Sequence, residues 1–175
     1  MILCALAQGA AALASPRMLR VGERGLARGA VSSLQMAADG PVCIVTGGSR
    51  GLGRAIALKL GSEGCRVVVN YAASAAAAEK VVEEIKGLGG DGVAVQADMS
   101  TPAGIKSLFE QTAAAYSDPV EVLVNNAGIT RDTLVIRMKQ NQWEDVINTN
   151  LNGVFYASQV RDVPNMFTKD GRTLS

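Results

Sequence analysis

The sequence predicts an α/β fold, a doubly wound parallel sheet of about four strands with flanking helices. Two observations carry this expectation. Strand-like and helix-like segments alternate from Pro41 to about Gln159, the pattern of parallel strands joined by right-handed crossovers. A short apolar run, Val42 to Val45, then breaks into glycines at 47, 48, 51 and 53 just before a helical pattern begins. The composition fits: 175 residues, 48% hydrophobic and 19% charged with net charge +1, suit one soluble globular domain.

Taken in order, the elements explain themselves locally. Behind the glycine turn, Leu52, Ile56 and Leu60 recur every four residues, which predicts a helix laying one stripe on the sheet, ended by Gly61 and Gly64. Arg66 to Tyr71 reads as the second strand. Ser74 opens an Ala-rich helix with Val81, Val82, Ile85 and Leu88 inward and Gly89-Gly90 as its stop. Val93 to Gln96 is the third strand. Thr101 then caps a helix with Pro102 at its first position and Ile105, Leu108, Phe109 and Thr112 on one face. Val120 to Val124 is the fourth strand, running into Asn125-Asn126-Ala127-Gly128. A last helix carries Trp143, Val146, Ile147, Asn150, Leu151, Val154 and Phe155 at steps of three and four. The amide of Asn150 in that apolar stripe must find partners or cost about 1–3 kcal/mol. It is either a satisfied core asparagine or a catalytic amide.

Several function classes drop out. A near-neutral chain with scattered charges lacks the basic patch that nucleic-acid binding needs. Histidine is absent, which excludes imidazole-built zinc sites and Ser-His or Cys-His catalysis, and no metal site is expected. Cys4, Cys43 and Cys65 show no C-x-x-C spacing, and Cys43 and Cys65 read as small buried hydrophobes. Residues 1–39 differ from the rest: Ala-rich, with Arg17, Arg20, Arg24 and Arg28, no Lys, and only Glu23 and Asp39 as acids. Their uncharged run from Ile2 to Ala14 is too short to span a bilayer. This predicts a targeting segment for a plastid, with the mitochondrion as alternative. The expected organisation is therefore targeting segment 1–39, folded domain 40–160 and divergent tail 161–175.

A glycine turn between strand and helix lets the backbone approach a diphosphate, whose charge the helix's free N–H groups and positive dipole end stabilise. The spacing Gly47-x-x-x-Gly51-x-Gly53, with Thr46, Ser49 and Arg50, resembles the cofactor turn of the short-chain dehydrogenase/reductase family. The resemblance covers about residues 41–158 and adds Asp98-Met99 after the third strand, Asn125 to Gly128 after the fourth, and Asn150-Leu151-x-Gly153. Residues Asn126 to Asp132, with Arg137-Met138-Lys139 and Trp143, look most like the 3-oxoacyl-[acyl-carrier-protein] reductases of fatty-acid synthesis.

That resemblance implies the N-terminal part of a Rossmann-type sheet and the reduction of a carrier-protein-linked 3-oxoacyl thioester by NADPH. It places Gly47, Gly48, Ser49, Arg50, Gly51, Leu52 and Gly53 around the diphosphate and 2′-phosphate. Asn70 and Tyr71 fall near the adenosine ribose, Asp98 and Met99 at the adenine, and Asn125, Asn126, Ala127 and Gly128 along the ribose. Asn150 would organise a water or proton relay, and the helix around it would pair subunits in a homo-oligomer. Charge also favours NADP(H): the second strand ends in Asn70-Tyr71-Ala72, without the acid that accepts from a ribose 2′-hydroxyl, and Arg50 can pair with a 2′-phosphate. Taken alone, Arg50 also fits a solvated loop charge and Asp98 a turn residue at a strand end.

The sequence departs from the family in one respect. The family's proton donor is a Tyr with a Lys four residues later, accompanied by a Ser after a fifth strand. Here the fourth residue after Tyr71 is Ala75, after Tyr116 Val120 and after Tyr156 Val160. The expectation is an incomplete reductase without turnover of its own. The alternatives are a cofactor-binding partner of active subunits, or a related dehydrogenase acting on another carbonyl substrate. Without a fifth strand, the fourth is expected to form an exposed apolar edge.

Overall fold

The computed structural model describes residues 2–4 and 40–160. Apart from residues 2–4, the expected targeting segment lies outside them, as does the tail 161–175. Five strands form one sheet: β1 (Ile2–Cys4), β2 (Val42–Val45), β3 (Arg66–Tyr71), β4 (Asp91–Gln96) and β5 (Val120–Asn125), in the order β1-β5-β2-β3-β4. Strands β2 to β5 are parallel, as predicted, and β1 runs antiparallel to β5. The helices are α1 (Gly51–Ser62), α2 (Ala75–Gly87), α3 (Pro102–Ala115), α4 (Gln140–Ile147) and α5 (Gly153–Gln159).

Alternation along the strands divides the core into two layers. Cys43, Val45, Val67 and Val69 face α1 and α2, where they meet Ala57, Ala78, Val81 and Ile85. Val42, Ile44 and Val68 face the other way, onto Ile105, Leu108 and Phe109 of α3 and Ala157 of α5. A sheet covered on both faces is what makes the parallel strands read as unbroken apolar runs. Cys43 and Cys65 are buried as expected, and burial together with the neighbouring Cys65 pushes the Cys43 thiol pKa upward. At α3, the Thr101 hydroxyl accepts from the N–H of Gly104 at 3.1 Å and Pro102 opens the helix, as the sequence indicates.

Three expectations need correction. Helix α1 buries Gly53, Ala57 and Gly61, one residue out of step with the predicted stripe, and Leu52 is 67% exposed. Close approach decides the face: a Cβ on Gly61 would lie 2.7 Å from Ile85, so small residues let α1 pack against α2. Leu88 is exposed because it caps α2 instead of lying in its buried stripe. The outer edge of β5 is not bare, since Ile2, Leu3 and Cys4 pair with Asn125, Val124 and Leu123.

The amino ends of the strands are fastened by one cluster. Arg66 pairs with Asp118 at 2.8 Å, donates from Nε to the Gly40 carbonyl at 2.8 Å, and lies 5.5 Å from the centre of the Tyr116 ring. The Tyr116 hydroxyl donates to Asp91 at 3.1 Å, and burial, then the Asp91 charge, pushes its pKa up. The folded chain therefore holds the phenol proton more tightly than the unfolded chain. This stabilisation is complete below the ordinary tyrosine value of about 10 and is lost as pH rises above it. Urea unfolding at about pH 9 and about pH 11 should show a steeper loss of stability for the wild type than for Tyr116→Phe. Equal losses would mean that this phenol contributes nothing.

Candidate functional site

The carboxyl ends of β2 to β5 bring four loops together: Thr46 to Gly53, Tyr71 and Ala72, Ala97 to Met99, and Asn125 to Gly128. These are the segments the sequence singled out. The crevice at the carboxyl ends of a doubly wound sheet is where such folds receive ligands.

Thr46 is the anchor. Its buried hydroxyl donates to the Val124 carbonyl at 3.1 Å and accepts from the N–H groups of Asn126 at 2.9 Å and Ala127 at 3.0 Å. All three hydrogen-bonding positions of a hydroxyl are thus used. The Asn126 amide donates back to the carbonyls of Thr46 at 2.9 Å and Gly47 at 3.2 Å, which locks the β2 turn to the β5 turn. Asn125 is buried and donates to the Ser158 hydroxyl of α5 at 3.4 Å.

Gly47 has φ +62°, a left-handed conformation that disfavours other residues. Gly53 sits directly beneath the turn, where a Cβ would lie 2.4 Å from the Gly47 carbonyl oxygen and 2.5 Å from Nδ2 of Asn126. Arg50, Gly51 and Leu52 face outward at the start of α1, Gly48 is buried and Ser49 is half-buried. A helix start leaves its first N–H groups without intrahelical partners, so Gly51, Leu52 and Gly53 can present donors to an anion. A Cβ on Gly51 would have no atom within 4 Å, which is open space at the place an anion would enter.

The remaining positions divide. Asp98 is exposed, and its Oδ1 accepts from the backbone N–H and hydroxyl of Ser100 at 2.8 and 2.7 Å, while Met99 is buried. Tyr71 is half-buried at the end of β3. Asn70 is 1% exposed and lies inside the sheet instead of opening onto the crevice. Asn150 is exposed and belongs to a π-helical turn, Asn148–Asn152, between α4 and α5. Its amide is satisfied at both ends by one residue: Oδ1 accepts from the N–H of Ile129 and Nδ2 donates to its carbonyl, each at 2.9 Å. The side chain fastens the segment after Gly128; of the two expectations for it, a satisfied amide is what is seen, at the surface instead of in a core. Arg131 adds an ion pair with Asp145 of α4 at 3.4 Å. Among the site-forming residues, sequence reasoning gave Thr46 no separate role, although a lone hydroxyl between a buried strand and a glycine was the available signal.

Among the described residues, no group of His, Cys, Asp and Glu could hold a metal ion, and no helix is long and apolar enough to cross a membrane. A glycine turn at the carboxyl end of a parallel sheet, opening into a helix, defines the dinucleotide-binding class of α/β domains. The chain belongs to the short chain dehydrogenase family, whose sequence profile matches residues 41–172. It is 52% identical over 116 residues to the 3-oxoacyl-[acyl-carrier-protein] reductase FabG of Staphylococcus aureus strain Mu50, covering 66% of this chain and 47% of that protein. It is 46% identical over 134 residues to the 3-oxoacyl-[acyl-carrier-protein] reductase of a Synechocystis strain, covering 77% of this chain and 54% of the relative. The chain thus spans about half the length of the curated relatives it matches. Among solved structures, a Burkholderia cenocepacia short chain dehydrogenase in complex with NADP is similar, with TM-score 0.65, 37% identity and coverage of 69% of this chain and 48% of that one.

The packing of Gly53 gives a direct test of the turn. Gly53→Ala should lower unfolding free energy by about 1–3 kcal/mol, because neither the Gly47 carbonyl nor the Asn126 amide can retreat without breaking the lock. Gly87→Ala, at the end of α2 with nothing within 4 Å of the added methyl, should be neutral or stabilising by up to about 1 kcal/mol. Urea titration of both variants checks the contrast.

Proposed function

We propose that this chain is the cofactor-binding half of an NADPH-dependent 3-oxoacyl-[acyl-carrier-protein] reductase of fatty-acid synthesis. The observation that carries the cofactor reading is the glycine turn at the start of α1, with an outward Arg50 and no acid at the end of β3. The turn fits a diphosphate, and Arg50 fits a 2′-phosphate. The carrier-protein substrate rests on the similarity to the reductases of Staphylococcus aureus and Synechocystis.

Bound there, a nicotinamide dinucleotide phosphate would supply the hydride for reducing a 3-keto group. The chain's own residues do the holding. N–H groups at the start of α1 face the diphosphate, Arg50 pairs with the 2′-phosphate, and Asn126 fixes the ribose-side turn through Thr46 and Gly47. Asn150 holds Ile129 and with it the segment flanking the reacting end. The sequence has no Tyr with a Lys four residues on, so this reading gives none of its three tyrosines the role of proton donor. The Arg-bearing, acid-poor residues 1–39 favour delivery to a plastid, or else a mitochondrion. A second reading, a non-catalytic partner that pairs with active subunits, is favoured by Trp143, Leu151 and Phe155, all more than half exposed along α4 to α5.

Nicotinamide fluorescence titration of the chain should show NADPH binding more tightly than NADH. Arg50→Ala should weaken NADPH by about ten- to a hundred-fold, the worth of one charge-assisted bond, and leave NADH nearly unchanged. Equal losses for both would remove the 2′-phosphate role.

Given NADPH and an acetoacetyl thioester, the purified chain should oxidise no NADPH above background. Turnover at a complete reductase's rate would overturn the half-enzyme reading. Co-purification with a full-length reductase would support the second reading.

A further inference from the structure

We infer that Asn70 is the positioning residue that shapes the glycine turn, acting from inside the sheet without touching the ligand. The inference rests on the cofactor reading above and goes beyond it by assigning the turn's geometry to one buried amide.

Both polar atoms of the Asn70 side chain, and its backbone carbonyl, are engaged. Its Oδ1 accepts from the N–H of Gly47 at 3.2 Å, its backbone carbonyl accepts from the N–H of Gly48 at 2.9 Å, and its Nδ2 donates to the carbonyls of Val95 at 3.3 Å and Ala97 at 3.1 Å. With 1% exposure, it has no surface left for a ribose. Two consequences follow from these contacts. The first two N–H groups of the turn point into β3, so an anion meets only those that follow Gly48. In addition, one side chain ties the turn after β2 to the end of β4, immediately before Asp98 and Met99. The spacing between a diphosphate held by the turn and an adenine held by Met99 is set through this amide.

The chemistry demands an amide of this length. One acceptor must face an N–H while two donors face carbonyls, which no other side chain of similar size provides. Asn70→Asp keeps the shape but turns oxygen lone pairs toward the carbonyls of Val95 and Ala97. A buried carboxylate so placed has a raised pKa, and protonation restores one donor.

The test uses the full 175-residue chain and two probes: NADPH, and 2′-AMP, which carries the adenosine and the 2′-phosphate for Arg50 but has no diphosphate to meet the N–H groups of the turn. At about pH 8, Asn70→Asp should bind NADPH at least about tenfold more weakly than wild type, bind 2′-AMP equally well, and recover NADPH affinity toward about pH 5.5. Unchanged NADPH affinity in the folded variant would overturn the inference, as would parallel losses of both probes, which indicate a merely structural role. Hydrogen exchange on the ligand-free wild type stands independently of any variant or cofactor. The amides of Gly47 and Gly48 should exchange slowly and those of Ser49 to Gly51 fast, and fast exchange at Gly47 would sink the inference even if Asn70→Asp fails to fold. A wild type that binds neither probe while protecting Gly47 would refute the cofactor reading and leave the positioning role standing.

Discussion

The peptide of Gly47 is held from both sides, its N–H by the Asn70 amide and its carbonyl by the Asn126 amide, and the rest of the crevice depends on that grip. Each amide belongs to a different neighbour of β2: Asn70 is the last residue but one of β3 and Asn126 follows β5. The turn therefore cannot shift without pulling on both flanking strands. Inside a protein such bonds are strong because water does not compete for them, and the same lack of water makes a missing partner costly. Among the described residues, no buried side-chain nitrogen or oxygen lacks a partner, so the network is complete. A rigid turn is what anion binding by backbone N–H groups needs, since donors that must first be ordered lose affinity to that ordering.

The opposite end of the sheet is fastened by charge and ring contacts in place of amides. Arg66 spans Gly40, Asp118 and the Tyr116 ring, and Asp91 ties β4 to Tyr116. The segment 129–139 is held at Ile129 by Asn150 and at Arg131 by Asp145. Its tip, Leu134 to Ile136, is apolar and exposed. The π-helical turn bearing Asn150 has a positional effect as well: it separates α4 from α5, so that α5 packs Ala157 into the core while Leu151 and Phe155 point outward.

The strands were legible because burial on both faces makes them continuous runs of Val and Ile, and the observed β3 begins and ends where the sequence places it. The cap Thr101-Pro102 was legible because that pair has few other uses, whereas Ser74 precedes α2 without a side-chain cap bond. The face of α1 was not legible: apolar periodicity marks large residues, whereas this helix packs through Gly53, Ala57 and Gly61, whose small size is the point of contact. Asn125 to Gly128 stood out as polar residues after an apolar strand. Asn70 stood at the end of one too, but a sequence cannot show whether an amide there turns outward to a ligand or inward to three backbone groups. Asn150 misled in the opposite sense, because helical spacing placed it in an apolar stripe of which Trp143, Leu151 and Phe155 are themselves largely exposed and Val146, Ile147 and Val154 only half-buried.

The three tyrosines of the sequence sit in different environments. A phenol donates a proton near neutral pH only where a cation stabilises the phenolate. Tyr116 has Arg66 over its ring, but burial and the Asp91 carboxylate outweigh that charge, so its pKa moves up, and it sits at the amino ends of the strands, away from the glycine turn. Tyr71 closes β3 at the crevice, and Tyr156 lies on the surface of α5. None has a lysine one helical turn later.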